Sequence, residues 1–394
     1  MITLLGLEVM KKKEFEHYYG PPEDEADSNK NKPEDFQKIF AGNIDDDFRI
    51  GVALSRNALK LSTPLSKSDI IIASPLCLRR LLEEEKGKKN EDDEKRPKVV
   101  DVLSSIEIFI IDQADIIFMQ NWEHVSIIED SLNKWPENLK NLNIKLYRIH
   151  QWYFENIQRF FRQTIVFSST SSDYIRGALR RARNIAGSVE LVNDKKGVLS
   201  DIKVQADLTM LCIRNNNPNV LEFDATFNYF TKELLPRLRK KNTSHVLIYI
   251  PDYCDYVRLN YYFHKDGGTS FATINEYMID ENSKVAKARS LFFEGKKKFL
   301  LYTERFHFHR RYKIKGVRQI VFYSPPLYPH FFKEVCELLS EENQNRREKF
   351  DTISYIYLLY HLADKGKLID LIGTNKTLEM LKSGKNYHSY LTGI

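Results

Sequence analysis

The chain has 394 residues, of which 42% are apolar and 29% charged, with 24 Phe, 21 Tyr and a formal net charge of +6. That length and mixture exclude wholesale disorder and a single small core, and they point to two domains. A charge this mild, with a pI near 8.8, permits a phosphate-bearing partner without requiring one.

The N-terminal stretch Met1 to Met10 is apolar but holds Glu8, and Lys11 to Lys13 follow the apolar run, the reverse of a secretory signal. No stretch approaches the ~18 apolar residues of a membrane helix. Residues 20–36 and 83–98 are highly charged, poor in apolar side chains and read as surface loops. Short β-branched runs predict strands at 49–54, 69–73, 106–111, 164–168, 208–213, 245–250, 298–302 and 318–323. Helical spacing predicts helices at 75–84, 123–133, 149–162, 173–185, 224–239, 254–263 and 329–340. The strand runs are apolar throughout rather than alternating, which suits parallel strands covered on both faces, so the fold class is α/β with mostly parallel sheets. Gly187, Gly197 and polar neighbours interrupt the pattern, giving domains at 1–186 and 203–394 with a linker at 187–202. The stretch from Phe350 to beyond Leu371 mixes helix with a last strand. Cys77, Cys212, Cys254 and Cys336 are scattered without metal or disulfide spacing, which fits reduced thiols in an intracellular protein.

The strand Ile106 to Ile111 ends abruptly in Asp112-Gln113-Ala114-Asp115, two carboxylates around an amide. The plain alternative is a buried strand whose turn happens to carry two acids. Phosphoryl transfer needs cradled phosphates, a held metal, an activated water and neutralised charge. No Gly-x-x-x-x-Gly-Lys-Ser/Thr occurs in the chain, so no cradle is visible. Gln113 can orient a water but cannot take its proton, and losing a general base typically costs about 10²–10⁴ in rate. Ser168 to Ser172 lack a nucleophile elbow. His307 and His309 alternate as on a strand and would share a face, yet only Glu304 stands near them at ligand spacing. No catalytic residue, metal or cofactor is therefore expected.

Basic residues suggest nucleic acid. Arg176, Arg180 and Arg183 are spaced to share one helix face. Arg305, Arg310, Arg311 and Lys313 interleave with Phe306, Phe308 and Tyr312, a combination suited to single-stranded RNA. Solvated helix faces and core aromatics are the alternatives, and Pro236 to Lys241 reads as a solvated helix end.

The punctuation resembles that of RNA helicases. Asp112-Gln-Ala-Asp115 resembles their Asp-Glu-Ala-Asp box without its glutamate, and Asp69 to Leu82 resembles the strand, turn and helix that hold one RNA strand. Gln163 to Thr170 resembles the strand ending in Ser-Ala-Thr, and His245 to Pro251 sits where motif IV would be. On that resemblance Ser74, Pro75, Arg79, Ser168 and Thr170 join the RNA-binding candidates. The arginine-finger run is missing, and Arg305, Arg310 and Arg311 lie at about motif V. Longer wording is closer still: Asp112 to Asp115, Met119 to His124, Arg162-Gln-Thr, Tyr249 to Arg258, Tyr302 to Tyr312, Gly316 and Phe322-Tyr323 are similar to the U3 small nucleolar RNA-associated protein 25 family, from about residue 35 to the end.

That resemblance implies two RecA-like domains in tandem, the first N-terminally truncated or pared down, without ATP hydrolysis. It implies a place in the small-subunit processome of the nucleolus, in pre-ribosomal RNA processing and 40S (18S rRNA) biogenesis. The implied partners are pre-ribosomal RNA, the U3 small nucleolar RNA (snoRNA) and its ribonucleoprotein, and other processome proteins, with no membrane. The alternatives are a purely protein-binding scaffold with a vestigial RNA surface and, least favoured, an active helicase.

Overall fold

The computed structural model describes residues 8–20, 32–41, 46–87, 98–136, 147, 149–191, 194–214, 221–240, 243–344 and 354–393. The backbone divides into two compact units: Met1–Ser169 with Asp173–Glu190, and Thr170–Ser172 with Leu191–Ile394.

In the first unit, β1 (Glu8–Met10), β2 (Arg49–Leu54), β3 (Ala58–Lys60) and β4 (Ile70–Ala73) form a sheet in the order β1-β3-β2-β4. Only β1 and β3 run parallel; β2 is antiparallel to both β3 and β4. The short link between β2 and β3 leaves room for a hairpin but not for a crossover helix. β5 (Ile108–Ile111) and β6 (Gln163–Val166) form a separate parallel pair. Four helices matter to the site: α1 (Pro75–Gly87), α2 (Ala114–Gln120), α3 (Trp122–Ser131) and α4 (Asp173–Ala182). Phe109, Ile111 and Val166 pack from the β5–β6 pair against Ala114, Trp122, Val125, Ile175 and Ala178 of these helices. The opposite face departs from the expected double cover, because Ile108 and Ile110 remain 58% and 55% exposed.

The second unit holds a seven-stranded sheet of β7 (Ala206–Cys212), β8 (Val246–Ile250), β9 (Phe271–Ile274), β10 (Phe299–Thr303), β11 (Gln319–Phe322), β12 (Ser354–Tyr360) and β13 (Tyr387–Leu391). The order is β13-β7-β12-β11-β8-β10-β9, parallel except for the edge strand β13. Every residue of β8 and β10 is buried, which explains their unbroken apolar runs. Such a parallel, helix-covered sheet is what a RecA-like domain requires, and the α/β class read from the sequence is the one observed.

Crossovers are supplied by α5 (Tyr253–Asp266), α6 (Asn282–Phe293), α7 (Glu304–Arg310) and α8 (Pro329–Cys336). Asp252 starts α5 by accepting from the backbone N–H of Cys254 at 2.7 Å and of Asp255 at 3.2 Å. The predicted helix at 149–162 shrinks to Gln151–Phe154 and a single turn at Gln158–Phe160, because Asn156 adopts a left-handed conformation between them. Residues 304–310 are helical, not extended. Positions two apart on a helix point about 200° apart, so His307 and His309 do not share a face. The alternation of aromatic and basic residues there mimics a strand period. His309 is half-buried, and desolvation pushes its pKa down to about 4.

His307 belongs to a buried ionic cluster. The Tyr302 hydroxyl donates to its Nδ1 at 3.1 Å, and its Nε2–H donates to Glu334 at 2.9 Å. Arg311 is 6% exposed, donates to the other Glu334 oxygen at 2.5 Å and lies 4.2 Å over the Phe331 ring. Burial opposes the Glu334 charge, but the His307 hydrogen bond and the Arg311 cation prevail and hold its pKa down to about 2. Its folded pKa thus lies below the ordinary 4.5, so its stabilisation is complete above that value and disappears as pH falls toward about 2. Glu334→Gln is expected to cost about 3 kcal/mol at neutral pH, as breaking a buried pair does. Chemical denaturation of the variant from pH 7 down to 2 checks it. The acid limb should flatten between 4.5 and 2, and an unchanged limb contradicts the assignment.

Candidate functional site

The turn after β5 is held by four backbone and side-chain ties to the turn after β6. The Phe167 N–H donates to the Ile111 carbonyl and the Ala114 N–H to the Phe167 carbonyl, each at 2.9 Å. Asp115 is 7% exposed and accepts from the Ser169 hydroxyl at 2.6 Å and from the Ser169 N–H at 3.3 Å. Its carboxylate is thus committed to holding the Ser168-Ser169 turn. Asp112 is exposed and accepts from the Gln113 N–H at 2.9 Å. Gln113 takes a left-handed conformation, φ 52° and ψ 48°, at the entrance to α2 and is exposed. A non-glycine residue held there costs on the order of 1 kcal/mol or more. The two groups facing solvent are therefore one carboxylate able to meet a hydrated cation and one amide able only to orient water.

The other predicted residues of this unit divide sharply. Ser74 is 4% exposed; its hydroxyl donates to the Asp46 carbonyl and accepts from the Cys77 N–H at 3.1 Å, so it caps the first turn of α1, where Pro75 stands. Arg79 donates to Glu83 at 2.8 Å, approaches His124 Nδ1 at 2.9 Å and pairs with Glu123 at 3.5 Å. Arg80 pairs with Asp47 at 2.6 Å. Ser168 is exposed, and Thr170, which belongs to the second unit, is buried. On α4, Ile175, Ala178 and Ala182 form the buried face, which turns Arg176 and Arg180 outward. Arg183, just past the helix in a left-handed conformation, is exposed too. Arg181 turns back to Glu129, 2.6 Å away. In the second unit Arg310 donates to the Ile279 carbonyl at 2.5 Å and lies 3.4 Å from Asp280. Arg311 is committed to Glu334 inside the cluster, which corrects its reading as a surface contact. Lys313 is exposed and Arg305 half-buried.

Two family models match in succession: "UTP25, NTP hydrolase-like domain" over residues 1–189 and "Utp25, C-terminal domain" over residues 200–390. The chain belongs to the U3 small nucleolar RNA-associated protein 25 family. It is 40% identical over 388 residues to the U3 small nucleolar RNA-associated protein 25 homolog of Homo sapiens, covering 98% of this chain and 49% of that protein. It is 36% identical over 394 residues to the Schizosaccharomyces japonicus protein of that name, covering 99% and 59% respectively. The chain thus spans about half the length of the curated relatives it matches. Among solved structures, S. cerevisiae Dbp5 bound to RNA and ADP BeF3 is 15% identical, with 80% of this chain and 62% of that chain covered and a TM-score of 0.30. A DEAD box protein from Methanococcus jannaschii is also 15% identical, covering 80% and 65%, at a TM-score of 0.29. The fold assignment stands on the sheet topology, not on these overlaps. No helix among the described residues is long and apolar enough to cross a membrane.

In this member of the family, reasoning from sequence missed the partners rather than the motif. Glu334 lies 27 residues from His307 and 23 from Arg311, and no local pattern connects them. The link between Asp115 and Ser169 spans 54 residues, yet both ends lie in segments whose wording marks a strand followed by a turn. Asp115→Ala would leave the Ser169 hydroxyl and N–H without their acceptor, at an expected cost of about 1–3 kcal/mol. Urea denaturation followed by circular dichroism measures this, with Asp112→Ala as the exposed control expected to stay within about 0.5 kcal/mol of wild type.

Proposed function

We propose that the chain is a non-catalytic, helicase-like scaffold of the small-subunit processome. In this reading it acts in the nucleolus in pre-ribosomal RNA processing and 40S (18S rRNA) biogenesis, in contact with U3 or pre-ribosomal RNA and with neighbouring processome proteins. Family membership supports the setting. The observation that carries the non-catalytic part is the β5 turn, where an amide, Gln113, occupies the apex and Asp115 is engaged by Ser169. It supports the reading together with the missing phosphate-loop motif: an amide at the place of the base cannot take the proton of an attacking water, and no cradle of that type is present in this sequence.

RNA contact is assigned to the outward face of α4 and its end, Arg176, Arg180 and Arg183. Guanidinium groups on one exposed face suit phosphate oxygens whatever the base sequence. A purely protein-binding scaffold is the second reading, favoured by one observation: Arg79, Arg310 and Arg311 all donate to acceptors within the fold. Replacing Arg176, Arg180 and Arg183 together by Ala separates the two. The RNA reading predicts about tenfold weaker binding of single-stranded RNA at low salt and a log K against log salt slope shallower by about 2, at about 0.7 per lost contact. Binding that is flat with salt in the parent would favour the protein scaffold, and binding unaltered in the variant would remove α4 as the RNA contact.

A further inference from the structure

We propose a second, separate docking surface for an RNA phosphate backbone, built at the N-terminal ends of β8, β10 and β11 in the second unit. That the polyanion is RNA rests on the function proposed above; the surface itself rests on geometry.

Three strand entries stand side by side there. The Val246 N–H donates to the Lys298 carbonyl, the Lys298 N–H to the Ser270 carbonyl and the Arg318 N–H to the His245 carbonyl, each at 3.0 Å. His245, buried and left-handed at φ 63°, sits between the two basic turns, 294–298 and 313–318. Arg289 on α6 ties the second turn to the helix by donating to the Lys313 carbonyl at 3.3 Å and lying 4.9 Å over the Tyr312 ring. These constraints set Lys296, Lys298, Lys313 and Lys315 exposed, and Lys297 and Arg318 half-buried, along one end of the sheet.

Among the described residues, those six cations face three carboxylates. Glu294 is paired with Lys296 at 2.7 Å, and Glu341 and Glu342 precede Asn343, whose carbonyl accepts from the Gly316 N–H at 2.8 Å. Asp266 nearby is neutralised by Arg239. The apolar residues within the turns face inward: Ile314 and Val317 are fully buried and Phe299 is 1% exposed. A protein interface depends on apolar or aromatic anchors at its centre, and this surface presents none of those residues. Sequence-independent phosphate contact needs only cations held in place, and lysines on short, hydrogen-bonded turns provide them. The surface uses Lys313 of the basic stretch recognised in the sequence but adds the Lys296–Lys298 run, which lies on a different strand entry.

The test is binding of a 20-nucleotide oligouridine by the full chain across a salt series, with polyglutamate as a competing polyanion of protein character. The triple variant Lys296→Glu, Lys298→Glu, Lys315→Glu is expected to lose tenfold or more in RNA affinity at low salt and to flatten the salt slope by about 2. The triple Lys→Arg variant at the same positions should retain both, which guards against a mere folding defect. RNA binding and slope unchanged in the Glu variant overturn the surface, and a loss confined to polyglutamate overturns RNA as its ligand in favour of an acidic protein. If the α4 arginine variant loses RNA while this one does not, this surface alone fails. If neither variant is affected, the RNA reading as a whole fails with it.

Discussion

The carboxylate of Asp115 receiving both donors of Ser169 is the interaction on which the arrangement of the motif turn depends. It joins the ends of two parallel strands that share only four paired positions. A two-stranded pair is marginal alone, so the side-chain tie and the packing of Ile111, Val166 and Ala114 against α3 and α4 have to fix what the ladder cannot. In fixing it they leave Asp112 and Gln113 exposed at the turn, a carboxylate beside an amide.

Much of this was legible in the amino-acid sequence because it is local. A continuous apolar run followed by acids, or by Ser-Ser-Thr, marks a parallel strand ending in a turn, and all eight predicted strands lie where the runs are, but β2 and β4 pair antiparallel rather than parallel. The strands absent from the sequence reading are short or mixed: β1 and β3 have three residues each, β9 four, and the tyrosines and serine of β13 give it an amphipathic pattern on an edge. The helix α7 escaped because Phe306, His307, Phe308 and His309 imitate a period of two, while their burial on a short crossover after β10 demands a helix.

Electrostatic partnership was the least legible property. Arg79, Arg180 and Arg311 look alike in a sequence, yet Arg79 is tied by Glu83 on the next turn, Arg311 by a carboxylate on another helix, and Arg180 faces solvent. Burial and pairing across elements decide which cations are available to an outside anion, and neither is encoded in spacing. The same logic redistributes the basic stretch 305–318: its first half supports the interior of the second unit, and its second half emerges at the opposite end of the sheet beside Lys296 to Lys298.

The central claim, that the β5 turn has no hydrolytic capacity, is tested most directly by measuring ATP turnover by the purified chain with and without single-stranded RNA, for the parent, Asp112→Ala and Gln113→Glu. The account predicts no turnover above background in any of the three, Gln113→Glu included, because restoring a base does not supply a phosphate cradle. RNA-stimulated turnover in the parent that Asp112→Ala abolishes would contradict it.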